Sequence, residues 1–183
     1  MLSMKRIIVL FLLAAMVLSL LGCSYSAYKH TYTDIQEYAR MWELSGFRHA
    51  YDGTSPLFPD APAELEVLDF FCRHDEQLPL GEGIQLLLHI RYEDGEAFNA
   101  EVERIASLTY NCNNAFAESG LSAYAMRLGK KLSSEYALVD HDNQTIYYIY
   151  LQNLPLEEIE LDRKLVPDSY SGYGDVSHST NNS

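Results

Sequence analysis

The sequence predicts an α+β fold: an antiparallel sheet of about five strands with two main helices packed on one face. Three observations predict it. Ile84 to Tyr92 (IQLLLHIRY) alternates side chains with period two. Two segments, 33–46 and 96–108, place apolar residues at helical spacing. Glu135 to Val139 and Thr145 to Gln152 flank the polar run DHDNQ, as the two arms of a hairpin would.

In chain order, the first helix starts at Thr33, which has capping-box spacing to Gln36, and stops near Gly46. Ile35, Tyr38, Ala39 and Trp42 share one face, with Met41 at its edge. Trp42 is expected to pack on the domain, because Asp34, Glu37 and Glu43 would oppose an anionic bilayer. Residues 52–62 (DGTSPLFPDAP) hold three prolines and form a connector. Glu64 to Arg73 reads as a strand and Ile84 to Tyr92 as the clearest one. Ile84, Leu86, Leu88, Ile90 and Tyr92 point one way and Gln85, Leu87, His89 and Arg91 the other. One buried face and one largely wet face imply antiparallel pairing.

Asp94 caps a second helix, Glu96 to Leu108, with Phe98, Val102, Ile105 and Leu108 as its stripe. A loop or short helical piece over 111–120 leads to an ambiguous strand, Ser122 to Leu128. The hairpin follows, then a brief helix near Leu154 to Leu161. The expected organisation is a leader over 1–22, a tether over 23–33, one domain over 34–162 and a polar, acidic tail over 163–183. From Pro167 onward the tail's composition is that of disordered chain.

The amino-terminal residues carry the most specific signal. Lys5 and Arg6 precede fifteen residues, Ile7 to Leu21, interrupted only by Ser19. As a helix this run reaches about 22 Å, short of the ~30 Å hydrocarbon core, which is the pattern of a cleaved secretory signal. It ends in Leu20-Leu21-Gly22-Cys23. This segment resembles the lipobox of bacterial lipoproteins. The resemblance implies cleavage before Cys23, a diacylglyceryl group on its thiol, and residence on the extracytoplasmic face of a cell membrane. Two acyl chains at ~0.8 kcal/mol per buried methylene anchor stably. The segment Leu57-Phe58-Pro59 leading to Val67 and Phe70-Phe71 resembles short lipoproteins of Gram-positive envelopes, and no activity comes with that resemblance.

Removing 22 residues leaves 161 of 183, one ordinary domain. Of 13 basic residues, Lys5 and Arg6 leave with the leader, so 11 face 26 acidic ones, about −15. Such a body repels phosphate backbones, so no nucleic acid is expected as a partner. Cationic partners fit better, or the acidity serves solubility alone. Beyond Cys23, Cys72 and Cys112 remain: either a disulfide closing a loop of about 40 residues or two buried free thiols.

No catalytic constellation, cofactor motif or metal signature is apparent. Asp140-His141-Asp142 fails as an EF-hand, since Thr145 and Leu151 stand where Gly and Glu are required, and reads as a turn. His74-Asp75-Glu76 reads as a solvated loop between strands. His89, Arg91 and Tyr147 mark an outward sheet face that either binds a ligand or lies in solvent. The expectation is a non-enzymatic envelope module with a protein or glycan partner, its oligomeric state left open. The alternative is a small extracytoplasmic hydrolase, cation-dependent, gathering residues such as Asp75, Glu76 and Asp142.

Overall fold

Strands occupy more of the chain than the segments whose patterns announce them. The computed structural model describes residues 28–43, 54–77, 81–129 and 133–170, and these hold one seven-stranded sheet. The strands are β1 (Tyr28–Tyr32), β2 (Glu66–Gln77), β3 (Gly81–Arg91), β4 (Tyr110–Asn111), β5 (Ser122–Leu128), β6 (Ser133–Asp140) and β7 (Thr145–Gln152). They lie in the order β1-β2-β3-β7-β6-β5-β4, and every adjacent pair is antiparallel. Two α-helices accompany them: α1 (Tyr38–Met41), led in by a 3-10 turn at Ile35–Glu37, and α2 (Gly95–Leu108).

The expected α+β class with about five strands and two main helices is therefore wrong: the fold is mainly β. Two short strands account for part of the difference. Tyr28–Tyr32 (YKHTY), expected as tether, is an edge strand pairing through Tyr32↔Cys72, and Tyr110–Asn111 forms the opposite edge. The expected first helix begins at Asp34, whose side chain accepts the amide of Gln36, and is helical only to Met41 in the described residues.

The first face of the sheet is covered as its stripes require. Leu86, Leu88, Ile90, Tyr148 and Tyr150 meet Tyr38, Met41 and Trp42 of the α1 region, Leu57 and Phe58 of the connector, and Phe98 and Ile105 of α2. Each fully buried leucine here contributes about 1.5–3 kcal/mol. Trp42 sits edge-on to Phe58 at 5.3 Å and is 4% exposed, so it packs on the domain. Asp94 caps α2 by accepting the amide of Glu96.

The second face is not largely wet. Leu87, Tyr136, Leu138, Ile149 and Leu151 need cover, and receive it from Phe116 and from the segment 154–170 through Leu165, Val166 and Tyr170. Hydrogen bonds fix this cover: Tyr136 donates to the carbonyl of Leu165 at 2.8 Å and Tyr170 to that of Leu154 at 3.1 Å. A domain boundary at 162 thus cuts through packed structure, and 163–170 belong to the domain. The leader, Cys23 and residues 171–183 lie outside the described residues.

Candidate functional site

β2 is twelve residues long and β1 only five. The β1–β2 ladder ends at Tyr32↔Cys72, because Asp34 turns the chain into the 3-10 turn. The edge of β2 from Glu66 to Phe71 therefore runs on with no strand partner on that side among the described residues. Register shifts between Val67 and Asp69, leaving Leu68 as the extra residue of a bulge, 37% exposed. Val67 and Phe70 face the first core, while Asp69 and Phe71 face the second.

An open groove of about 730 Å³ follows this edge. Thr33, Asp34 and Ile35 form one wall, and Glu160 and Leu161 of the carboxy-terminal cover form the other, with Leu87 of β3 reaching in. The apolar lining is interrupted by the carboxylates of Asp34, Asp69 and Glu160. Lys29 neutralises Glu160 at 2.9 Å, whereas no ion pair forms at Asp34 or Asp69 among the described residues.

The far wall is held by an ion cluster built on the buried pair Arg73 and Asp75. Arg73 bonds both oxygens of Asp75, with Nε to Oδ1 at 3.0 Å, and reaches across to the carbonyl and carboxylate of Glu158 at 2.7 and 2.8 Å. The side-chain oxygen of Gln85 accepts the amide of Glu160 at 2.8 Å.

Of the outward residues expected to form a surface, His89 and Tyr147 come together, stacked at 3.8 Å and 13°. Burial pushes the His89 imidazole pKa down, with Arg91 acting the same way and Asp69 and Asp140 opposing. His89 is the register partner of Asp69 and so adjoins the groove. Arg91 sits at the end of β3 and bonds Glu66 at 3.0 Å. His89 and Arg91 thus adjoin the β2 edge, and Tyr147 is linked to it only through its stack on His89.

The other sequence candidates separate. His74-Asp75-Glu76 lies within β2, not in a loop, so successive side chains alternate faces: buried His74 approaches Glu82 at 3.2 Å, Asp75 holds Arg73, and Glu76 is exposed. Asp142 belongs to the β6–β7 turn, in which Asp140 accepts the amides of Asp142 and Asn143 and the side-chain amide of Asn143. Asp75 pairs with Gly83 and Thr145 with Arg91, so Asp75 and that turn stand at opposite ends of β3, about 27 Å apart. The carboxylate set named for a hydrolase does not converge. No group of three His, Cys, Asp or Glu among the described residues is arranged to hold a metal ion.

The disulfide alternative also fails. Cys72 is buried in the first core, Cys112 packs against the second, and both thiols are free. Burial pushes both thiol pKa values up, that of Cys112 to about 11.

Leu68, Asp69, Phe71, Glu160 and Leu161 were missed as site residues. One signal was present: the run Glu64 to Phe71 (ELEVLDFF) breaks its alternation at Leu68-Asp69, where the bulge lies. No helix among the described residues is long and apolar enough to cross a membrane. No protein-family model matches the chain, and no curated protein or solved structure matches it.

Proposed function

We propose that the chain is a lipid-anchored binding module on the extracytoplasmic face of a bacterial cell membrane, with the groove beside Glu66–Phe71 as its binding site. The observation that carries the binding reading is the β2 edge, without a strand partner on that side among the described residues, opening into a groove lined by apolar side chains and carboxylates. Concave clefts that combine apolar walls with a few placed polar groups are where ligands bind. Support for the anchor is Leu20-Leu21-Gly22-Cys23 behind its fifteen-residue apolar run. β1 begins at Tyr28, so four residues separate it from Cys23 and the link reaches at most about 17 Å. The folded body is then held against the bilayer, with little slack.

Two measurements test the two halves of this reading. Intact mass and detergent partitioning of the natural chain are expected to show acylation that Cys23→Ala abolishes; an unacylated natural chain in the aqueous phase refutes the anchor. A photo-crosslinking side chain at Leu68 is expected to trap a discrete adduct in native membranes, identified by mass spectrometry. The same group at Tyr110, exposed on the opposite sheet edge, serves as control. Equal yields at the two positions refute the groove as the binding site.

A further inference from the structure

We infer, resting on that reading, that the groove takes an extended protein segment which adds to β2 as a further strand, with Lys or Arg alternating with apolar side chains.

The backbone comes first. Glu66 to Phe71 presents about 20 Å of strand edge whose outward amides and carbonyls have no strand partner among the described residues. An exposed edge is a template for another strand, and proteins guard it with bulges and charge. This edge has both guards, the bulge at Leu68 and the carboxylate of Asp69. They disfavour indiscriminate pairing while leaving the edge open to a complementary segment.

The side chains fit the same occupant. Successive residues of an added strand point to opposite sides, so the apolar set would meet Val67, Phe70 and Ile35 and the basic set Asp69 and Glu160 beside Phe71 and Leu161. A glycan lacks the regular alternation of donors and acceptors that a strand edge offers.

Charge selects among proteins. Asp34 and Asp69 carry no ion pair among the described residues, and the chain as a whole has a net charge of −13. A second copy laid edge to edge would bring Asp69 near its own counterpart, and like charges facing one another across strands are destabilising. A basic segment is attracted instead.

The test presents the full-length chain, in detergent micelles, to a pool of heptapeptides alternating Lys with Val, Leu, Phe or Tyr. A second pool carries Glu in place of Lys. The basic pool is expected to be retained roughly tenfold over the acidic one. Asp69→Lys is expected to erase or reverse that preference, and Thr33→Lys, also at an exposed wall position, to weaken it should Asp69→Lys disturb folding. Methylating alternate peptide nitrogens is expected to reduce retention by roughly tenfold, because it removes the donors that strand pairing needs. Hydrogen exchange at 66–71 is expected to slow on binding. Retention that ignores N-methylation, or a basic pool held no better than the acidic one, overturns the inference. Adducts at Leu68 in membranes without peptide retention would sink strand addition alone; loss of both sinks the binding reading as well.

Discussion

Replacing Arg73 by leucine removes the cation that joins the sheet to its carboxy-terminal cover. The side chains of Arg73 and Asp75 are 8% and 5% exposed, whereas Glu158 and Glu160 are 42% and 47% exposed. The exposed carboxylates are screened, so their links to Arg73 contribute about 0–1 kcal/mol each. Asp75 is different. Left without its partner, a buried carboxylate costs about 3–5 kcal/mol. That term dominates, and for a chain of this size corresponds to a fall in Tm of about 6–20 °C. Thermal and urea unfolding of Arg73→Leu measure it. Replacing both residues, Arg73→Leu with Asp75→Leu, removes the stranded charge and is expected to recover most of the loss. Hydrogen exchange supplies a local readout: in the single variant, amides of 154–170 lose protection before those of β3 and β7. A single variant within about 1 kcal/mol of wild type, or a double variant no better than the single, would show that this cluster does not hold the cover.

Three further outcomes follow from local geometry. At Gly129 an added Cβ would clash with the backbone oxygen of Ser133, so Gly129→Ala is expected to cost about 1–3 kcal/mol, read in a thermal melt. At Asp140 burial opposes ionisation, but the bonds donated by Asn143 and Asp142 outweigh it and hold the carboxyl below its ordinary 3.8. Its stabilisation is complete above that value and lost as pH falls through the lowered one. Because this carboxylate is only partly buried and is screened by solvent, Asp140→Ala is expected to be less stable than wild type by only about 0.5 kcal/mol at neutral pH, a gap that closes in urea titrations run well below pH 3.8. With its thiol pKa raised from 9.0 to about 11, Cys112 should alkylate at pH 8 roughly tenfold more slowly than a free thiol, the smaller thiolate fraction being partly offset by the greater nucleophilicity of a more basic thiolate. Cys72 should react only on unfolding, and mass spectrometry of partly alkylated protein distinguishes the two.

Where one face of an element is strongly apolar, its sequence was readable. Ile84, Leu86, Leu88 and Ile90 alternate without interruption and are all fully buried. Asp94 announces α2, and the turn around Asp140 is written in residues that bond their own backbone. β1 carried no such pattern, since Lys29, His30 and Thr31 are polar and the strand depends on pairing with β2 and on Tyr32 packing at the core's margin. The second core was hidden for another reason. Leu165, Val166 and Tyr170 sit in a segment of short 3-10 turns, where apolar residues have no period to detect. The groove was least visible of all. It arises from the difference in length between β1 and β2, and becomes apparent only once both strands and their register are known.

The antiparallel course of β1 has a mechanical consequence for a tethered protein. Its amino end, nearest Cys23, lies beside Glu76, and its other end points toward the open stretch of β2. Under the proposed anchoring and groove binding, a partner tugging outward from that stretch while acyl chains resist from below would stretch the β1–β2 ladder along its length, straining its rungs together instead of peeling them one by one. Five residues of edge strand would then act as a shear joint between the envelope and whatever the module grips.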